Sequence, residues 1–389
     1  MAAAEDADRA LARVRELVAV GPRRPTGPAE AAAAAVAQRR LRGDGVRSEL
    51  EPFRGPATFA WAQAIPSALA LAGSTRRAGA RDRALGLLAA ALAAAEGDPR
   101  LQPLTRALGR GESANLVASV EPQAAARRTV CLVSHLDSSR SGWLFHPALA
   151  PHLRRVIAVA TAALLVRSLA LVLGGRPRAL ALCGRAASPM LFAGLALLAE
   201  RELRGVDVPG ANDNASGVAV AAAVTAEIAA EPLASTRLVF LATGCEESGT
   251  VGMRSFLERH DTDGWLFLNL DGVGAPATLR YLPREGVGRV WPADPLLLAV
   301  ADRLGRRRAD LGLAPAERLV GLTYDATQVL ARGGRALTLS AQDDTIPNYH
   351  TPADVPEKLD PGVLDRATDT VRELVRAIDA GEADRTPPG

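Results

Sequence analysis

A chain of 389 residues is too long for one small domain but sufficient for one large α/β domain carrying insertions. Its 46 Lys plus Arg against 43 Asp plus Glu leave a formal charge of +3, almost all the basic residues being arginine, and no field strong enough to recruit nucleic acid. Hydrophobic residues make up 48% of the chain, enough for a core, and the odd number of cysteines excludes a fully paired disulfide framework.

Residues 1–12 alternate Ala with Glu, Asp and Arg and show neither the basic start nor the apolar centre of a secretory signal. Residues 4–18 and 29–41 are expected to be helices, separated by Gly21-Pro22-Arg23-Arg24-Pro25, a turn no helix crosses. Residues 46–53 alternate like a strand, and 115–120 and 129–133 are two further β-type runs. From residue 216 the order is regular: helix 216–230, strand 237–242, helix 250–259, strand 265–270, helix 295–306, strand 336–340 and helix 361–380. Alternation of this kind implies a three-layer α/β/α fold around a mixed, mostly parallel central sheet. Cys131 lies inside an apolar run and Cys245 closes one, which reads both as small buried hydrophobes.

Two stretches are far more apolar than their surroundings. The first pairs 57–73 with 84–95, and the second pairs 156–173 with 186–199 across a segment containing Arg176, Arg178 and Arg185. Each is expected to be a helical hairpin with an arginine-rich tip, so the domains are expected to be a catalytic unit, 1–54, 113–141 and 210–389, with insertions at 55–112 and 142–209. A membrane span needs about 20 apolar residues, and only 156–173 comes near, with Arg167 inside it at about 2.5–3.5 kcal/mol on insertion scales. Two readings stand: membrane contact through hairpins whose basic tips face the cytoplasm, or a soluble helical lid or dimer interface on a cytoplasmic protein. Spanning would put the catalytic domain on the far side, in conflict with the missing signal. Shallow hairpins beneath a cytoplasmic domain would avoid it.

Five segments place metal-binding side chains in turns or at strand ends: Ser134-His135-Leu136-Asp137, Gly210-Ala211-Asn212-Asp213-Asn214-Ala215-Ser216-Gly217, Gly244-Cys245-Glu246-Glu247-Ser248-Gly249, Asn269-Leu270-Asp271-Gly272 and Asn348-Tyr349-His350-Thr351-Pro352. Loops at the carboxyl ends of parallel strands converge above one edge of a sheet. Two imidazoles and three carboxylates can hold two zinc ions if one carboxylate bridges them. A two-metal site can activate water, provided a further carboxylate accepts and passes on its proton. His146, His152 and His260 read as surface or local hydrogen-bonding residues, and Asp343-Asp344 as a loop leading to Tyr349-His350.

The motif series H-x-D, N-D-N-x-S-G, E-E, D-G and H-T-x-x-D resembles that of the M28 family of zinc peptidases, in the family's order. The resemblance covers 14–53, 115–137 and 210–375 and skips both apolar stretches. It implies a zinc-exopeptidase-like fold and two Zn2+ ions per chain. His135 and Asp271 would bind one ion and Glu247 and His350 the other, with Asp213 bridging. Glu246 would be the general base and acid, and Asp137 would orient His135. One departure is that His135 and Asp213 lie farther apart than is usual, so the second insertion falls between two ligands, at the rim of the site. Thr323-Tyr324-Asp325 sits where the family has a substrate-side segment. Gly210, Gly217, Gly249 and Gly272 bracket ligands and are expected to let the backbone turn sharply.

The expected activity is aminopeptidase hydrolysis of an N-terminal peptide bond, on a peptide or small amide substrate, with no nucleic-acid partner. Glutaminyl cyclization, hydrolysis of a C-terminal residue or small amide on the same core, and a catalytically silent membrane-anchored scaffold are the alternatives.

Overall fold

A computed structural model describes residues 2–76, 78–174, 178–318 and 322–384. Helices α1 (Ala2–Val18) and α2 (Pro28–Gly43) lead into strand β1 (Ser48–Gly55). Helices α3 (Ala60–Ala72), α4 (Ala80–Glu96) and α5 (Pro103–Leu108) follow, then β2 (Gly111–Val120) and β3 (Arg128–His135). A second helical run, α6 (Leu153–Val172), α7 (Arg178–Ala186) and α8 (Ser188–Arg204), precedes α9 (Gly217–Ala230) and β4 (Thr236–Thr243). Next come α10 (Val251–Arg259), β5 (Leu266–Leu270), β6 (Leu279–Tyr281), β7 (Arg284–Glu285), β8 (Trp291–Pro292) and α11 (Pro295–Arg307). The chain finishes with β9 (Ala314–Pro315), α12 (Asp325–Leu330), β10 (Arg335–Ala341) and α13 (Pro361–Asp379). Elements α5, α12 and β6 to β9 were not expected, because pieces this short carry no readable period.

Eight strands form one sheet in the order β1-β2-β4-β3-β5-β10-β6-β9. The central four, β4, β3, β5 and β10, run parallel, while β1, β2 and β6 pair antiparallel at the flanks. Alternate residues of the central strands enter opposite cores. Val130 and Leu132 of β3 and Leu238 and Phe240 of β4 pack with α1, α9, α11 and α13, whereas Cys131, Val133, Val239 and Leu241 pack with α10 and α12. Both faces are therefore covered, giving the three-layer α/β/α fold expected from the alternation.

Helix α13 shows how sequence sets these contacts. Asp360 caps it by accepting from Gly362 N at 2.8 Å, and Val363, Leu364, Ala367, Val371, Leu374 and Ile378 recur on the face buried against the sheet.

The two insertions pack on one another. Helix α4 lies along α6, α3 along α4 and α8, and Ala70, Ala89, Ala163, Leu164, Ala187 and Leu191 form a shared core. The expected second hairpin has three helices rather than two, since the joining segment with Arg178 and Arg185 is itself helix α7.

Candidate metal centre

His135 is the last residue of β3, the strand between β4 and β5, so the loops leaving those neighbours flank it. The loop after β4 carries Glu246 and Glu247, and Asp271 follows the last residue of β5. Asp213 stands in the turn that opens into α9, and the Asp213–Asn214 peptide is cis.

The polar residues around Asp213 tie that turn to the Asp271 loop. Asn214 donates to Leu270 O at 2.8 Å and accepts from Gly217 N at 3.0 Å and Gly272 N at 3.2 Å. Asn212 accepts from Gly274 N and Ser216 from Val273 N. Gly217 has an ordinary helical φ, so its role is not a sharp turn but close approach: a Cβ there would lie 2.4 Å from both Leu270 O and Asn214 Oδ1. At Gly272 the backbone does need glycine, with φ of 65°. Asp354 accepts from Asn212 N at 2.7 Å and Asp213 N at 3.1 Å, which fixes the height of Asp213. It is the closing Asp of H-T-x-x-D, a role not assigned from sequence.

Each imidazole is aimed by its Nδ1. That atom of His135 lies 3.1 Å from the Asp137 carbonyl, and that of His350 lies 3.0 Å from Ser139 Oγ, so both Nε2 atoms face inward. His350 also has a left-handed φ of 54° and is held between Tyr349, at 3.7 Å between ring centroids, and Phe145, at 4.3 Å. The carboxylate of Asp137 accepts from Glu246 N at 3.1 Å and Glu247 N at 2.9 Å and stands 3.6 Å from His135 Nδ1. It therefore holds the Glu246-Glu247 turn more closely than it holds His135.

His135 Nε2 lies 3.0 Å from Asp213 Oδ1 and 3.6 Å from Asp271 Oδ2, while His350 Nε2 lies 3.2 Å from Asp213 Oδ2 and 3.1 Å from Glu247 Oε1. The two oxygens of Asp213 thus address different histidines. Bonds of about 2.0–2.1 Å around a tetrahedral zinc put neighbouring donors about 3.3 Å apart, which these separations match. His135, Asp213 and Asp271 form one set of convergent buried donors, and Asp213, Glu247 and His350 form another. Glu247 Oε1 is buried and accepts no hydrogen bond among the described residues, facing the His350 ring. Three buried carboxylates at such separations need positive charge between them, so the donor set fits two divalent ions of the zinc type.

Charge and burial oppose each other throughout the site. Burial would raise the Asp213 carboxyl, but hydrogen bonds from His135 and His350 keep it well below the usual range. Against their own burial, Asp137 and Asp213 hold His135 up, and Glu247 with Asp213 lifts His350 to about 9. Burial raises Glu246 strongly, His135 opposing and Asp325, Glu247 and Asp271 adding to it. Asp325, buried and raised by that burial to about 7, accepts from Thr243 Oγ1 beneath the site.

Two residues without a sequence signal brace the loops. Glu30, raised to about 8 by burial and by Asp137, accepts from Cys245 N at 2.8 Å and Ser113 Oγ at 2.9 Å. Arg23 is fully buried and donates to Leu136 O, Pro209 O and Gly210 O at 2.6–2.7 Å, which joins the β3 loop to the Asp213 turn. The remaining histidines stay outside the cluster: His260 stacks on Phe256 and pairs with Glu51, and His146 accepts from Ala148 N. Asp343 and Asp344 pair with Arg280 and Arg318. Cys131 and Cys245 are buried and Cys183 is exposed.

Residues 198–375 match the model of Peptidase family M28. That match spans the candidate ligands Asp213, Glu247, Asp271 and His350 and ends before the C-terminus. The fold is shared with solved structures: an aminopeptidase from Aneurinibacillus sp. strain AM-1 superposes with a TM-score of 0.58 at 15% identity, covering 95% of this chain and 93% of that one. A zinc aminopeptidase from Bacillus subtilis gives 0.57 at 15% identity, covering 96% and 94%, and a glutaminyl cyclase from Bacteroides thetaiotaomicron gives 0.57 at 14%, covering 95% and 97%. Among curated proteins, a probable lipoprotein aminopeptidase, LpqL, of Mycobacterium tuberculosis (strain ATCC 25618 / H37Rv) is 36% identical over 72 residues, which is 18% of this chain and only 14% of that protein's length.

Proposed function

We propose that this protein is an M28-type two-zinc aminopeptidase, its ions held by His135, Asp213, Glu247, Asp271 and His350 and its water served by Glu246. The observation that carries the reading is Asp213, whose two oxygens each face a different inward-pointing imidazole at 3.0 and 3.2 Å, the arrangement of a bridging carboxylate. When bound, the ion pair would polarise the scissile carbonyl and lower the pKa of the attacking water.

The chain's own groups do the rest. Glu246 accepts a proton from the water as the water oxygen bonds to the carbonyl carbon, and it delivers that proton to the amide nitrogen as the C–N bond breaks. A carboxyl raised by burial and by neighbouring carboxylates suits both steps, since it binds a proton readily once the water releases one. Asp137, bonded to Glu246 N and Glu247 N, positions the base and a ligand as one unit. Phe145 and Tyr349 pack against the His350 ring from two sides and fix its orientation.

The test is metal content per chain by elemental analysis, with release of nitroaniline from a panel of aminoacyl-nitroanilides before and after chelation. About two zinc ions per chain and chelator-sensitive release are expected; a metal-loaded protein without release would refute the aminopeptidase. Similarity to a glutaminyl cyclase structure favours a second reading, which one ion per chain and ring closure of an N-terminal glutamine would establish. A peptide labelled at each end separates both from a carboxypeptidase.

A further inference from the structure

The helices of the two insertions are packed inside out for a protein in water. Their shared core is built mainly from Ala70, Ala89, Ala163 and Ala187, and the helices approach so closely that a Cβ at Gly86 would lie 2.7 Å from Leu171 Cβ and one at Gly184 2.6 Å from Ala170 Cβ. Leu164, Leu171 and Leu191 are buried there, but many large apolar side chains face outward: Leu87 is 63% exposed, Leu182 58% and Phe192 61%, with Val159, Leu169 and Met190 about half exposed. These residues lie on α4, α6, α7 and α8, so they form a belt rather than a single face. A soluble bundle buries its Leu and Phe, whereas helices packed through small residues with large apolar residues outward suit a hydrocarbon solvent.

The charges are arranged to match. Helix α3, residues 84–95 of α4 and residues 188–199 of α8 contain no charged residue. Arg167, the exception in the apolar part of α6, points inward and donates to Ala70 O and Gly73 O at 2.8 Å, Gly184 O at 3.1 Å and Ser188 Oγ at 2.7 Å. Its charge is spent on helix-end carbonyls inside the bundle and does not meet the belt. Beyond the belt, at the tip, stand Arg76, Arg81, Arg83, Arg178 and Arg185, with Asp82 the one acid among the described residues there. At the other end Arg154, Arg155 and the Glu200–Arg204 turn restore charge next to the metal centre, where Leu153 packs in the same cluster as Phe145 and Tyr324. The 20 residues of α6 span about 30 Å, the thickness of a bilayer's hydrocarbon core. The most apolar 18-residue stretches within residues 150–172 and 178–204 have mean hydropathies of 1.9 and 1.5, and only 33% and 22% of them are buried.

We propose that this bundle is embedded in a lipid bilayer, with the metal centre at one surface and the arginine tip among anionic headgroups at the other. The complementarity of a cationic tip to phosphate headgroups, together with large apolar side chains exposed on four helices of the bundle, selects lipid over a second copy of the chain. The inference does not depend on the catalytic reading.

The test uses the full chain, purified in detergent and exchanged into vesicles of phosphatidylcholine and phosphatidylglycerol. Flotation with the vesicles that survives high salt and alkaline washing is expected; a monodisperse monomer or dimer that stays soluble without detergent and sediments away from vesicles would overturn the proposal. Cys183 of α7 is the exposed cysteine, Cys131 and Cys245 being buried, so an environment-sensitive fluorophore on it should be quenched by nitroxide-labelled lipids. Absence of quenching in floated protein would place the tip outside the bilayer and refute the depth proposed. Because Leu169 and Phe192 are already exposed, the double variant Leu169→Glu, Phe192→Glu should keep its helical circular dichroism in detergent while vesicle insertion falls at least about tenfold. Unchanged flotation of that variant would count against lipid around α6 and α8.

Discussion

Asp354→Asn removes one acceptor oxygen from a carboxylate that receives two buried backbone N–H groups, Asn212 N at 2.7 Å and Asp213 N at 3.1 Å. The amide oxygen can serve one of them, and the NH2 then faces the other donor to donor. Leaving a buried N–H without an acceptor costs about 1–3 kcal/mol. That N–H belongs to the residue whose carboxylate would bridge the ions, or to its immediate neighbour, so part of the cost appears as displacement of Asp213. Loss of a residue that orients a ligand weakens metal binding by about 10–100-fold, and at about 1.4 kcal/mol per decade this falls in the same range as the unmade hydrogen bond. Zinc affinity by competition with a chromophoric chelator, read beside circular dichroism, measures it. A folded variant that binds zinc within about twofold of the parent would refute the argument, because the Asp213 turn would then hold its height without Asp354.

Glu246→Gln should retain the parent's zinc content while turnover falls by about 10²–10⁴, checked by elemental analysis beside steady-state kinetics. Loading with zinc at about a hundred times its Kd should stabilise the fold by about 2.7 kcal/mol per site, so chelation should lower Tm by roughly 5–10 °C. Glu285 supplies a pH test away from the metal centre: its carboxyl, buried and bonded by Thr327 and Thr338, titrates near 7 instead of 4.5. Between those values the folded state holds more protons than the unfolded one, so this group's contribution is best below 4.5, falls as pH rises to 7 and is flat above. Glu285→Gln should therefore be near neutral at pH 4 and stabilising by up to about 3 kcal/mol at pH 8 in denaturant titrations; equal effects at both pH values would show that burial does not penalise the charge.

The types and order of the candidate ligands and the general layering were legible in the sequence for a local reason. Asp213, Glu247, Asp271 and His350 each sit in a short motif whose glycines or asparagines report a turn, His135 ends a strand, and continuous apolar runs such as Val130 to Val133 report strands buried on both faces. What holds those motifs in register is not local. Glu30 reaches Cys245 N from the second helix, and Arg23 joins carbonyls from the β3 loop and the Asp213 turn, contacts between residues more than a hundred positions apart that leave no mark in either segment. The same holds for the insertions. Their apolarity and arginine tips were evident in the sequence, but only packing decided that two hairpins form one bundle, that α7 is helical, and that Arg167 turns inward while Leu87, Leu182 and Phe192 turn outward. Composition states how much apolar surface a helix carries; which neighbour approaches each side decides whether that surface meets a core or a solvent.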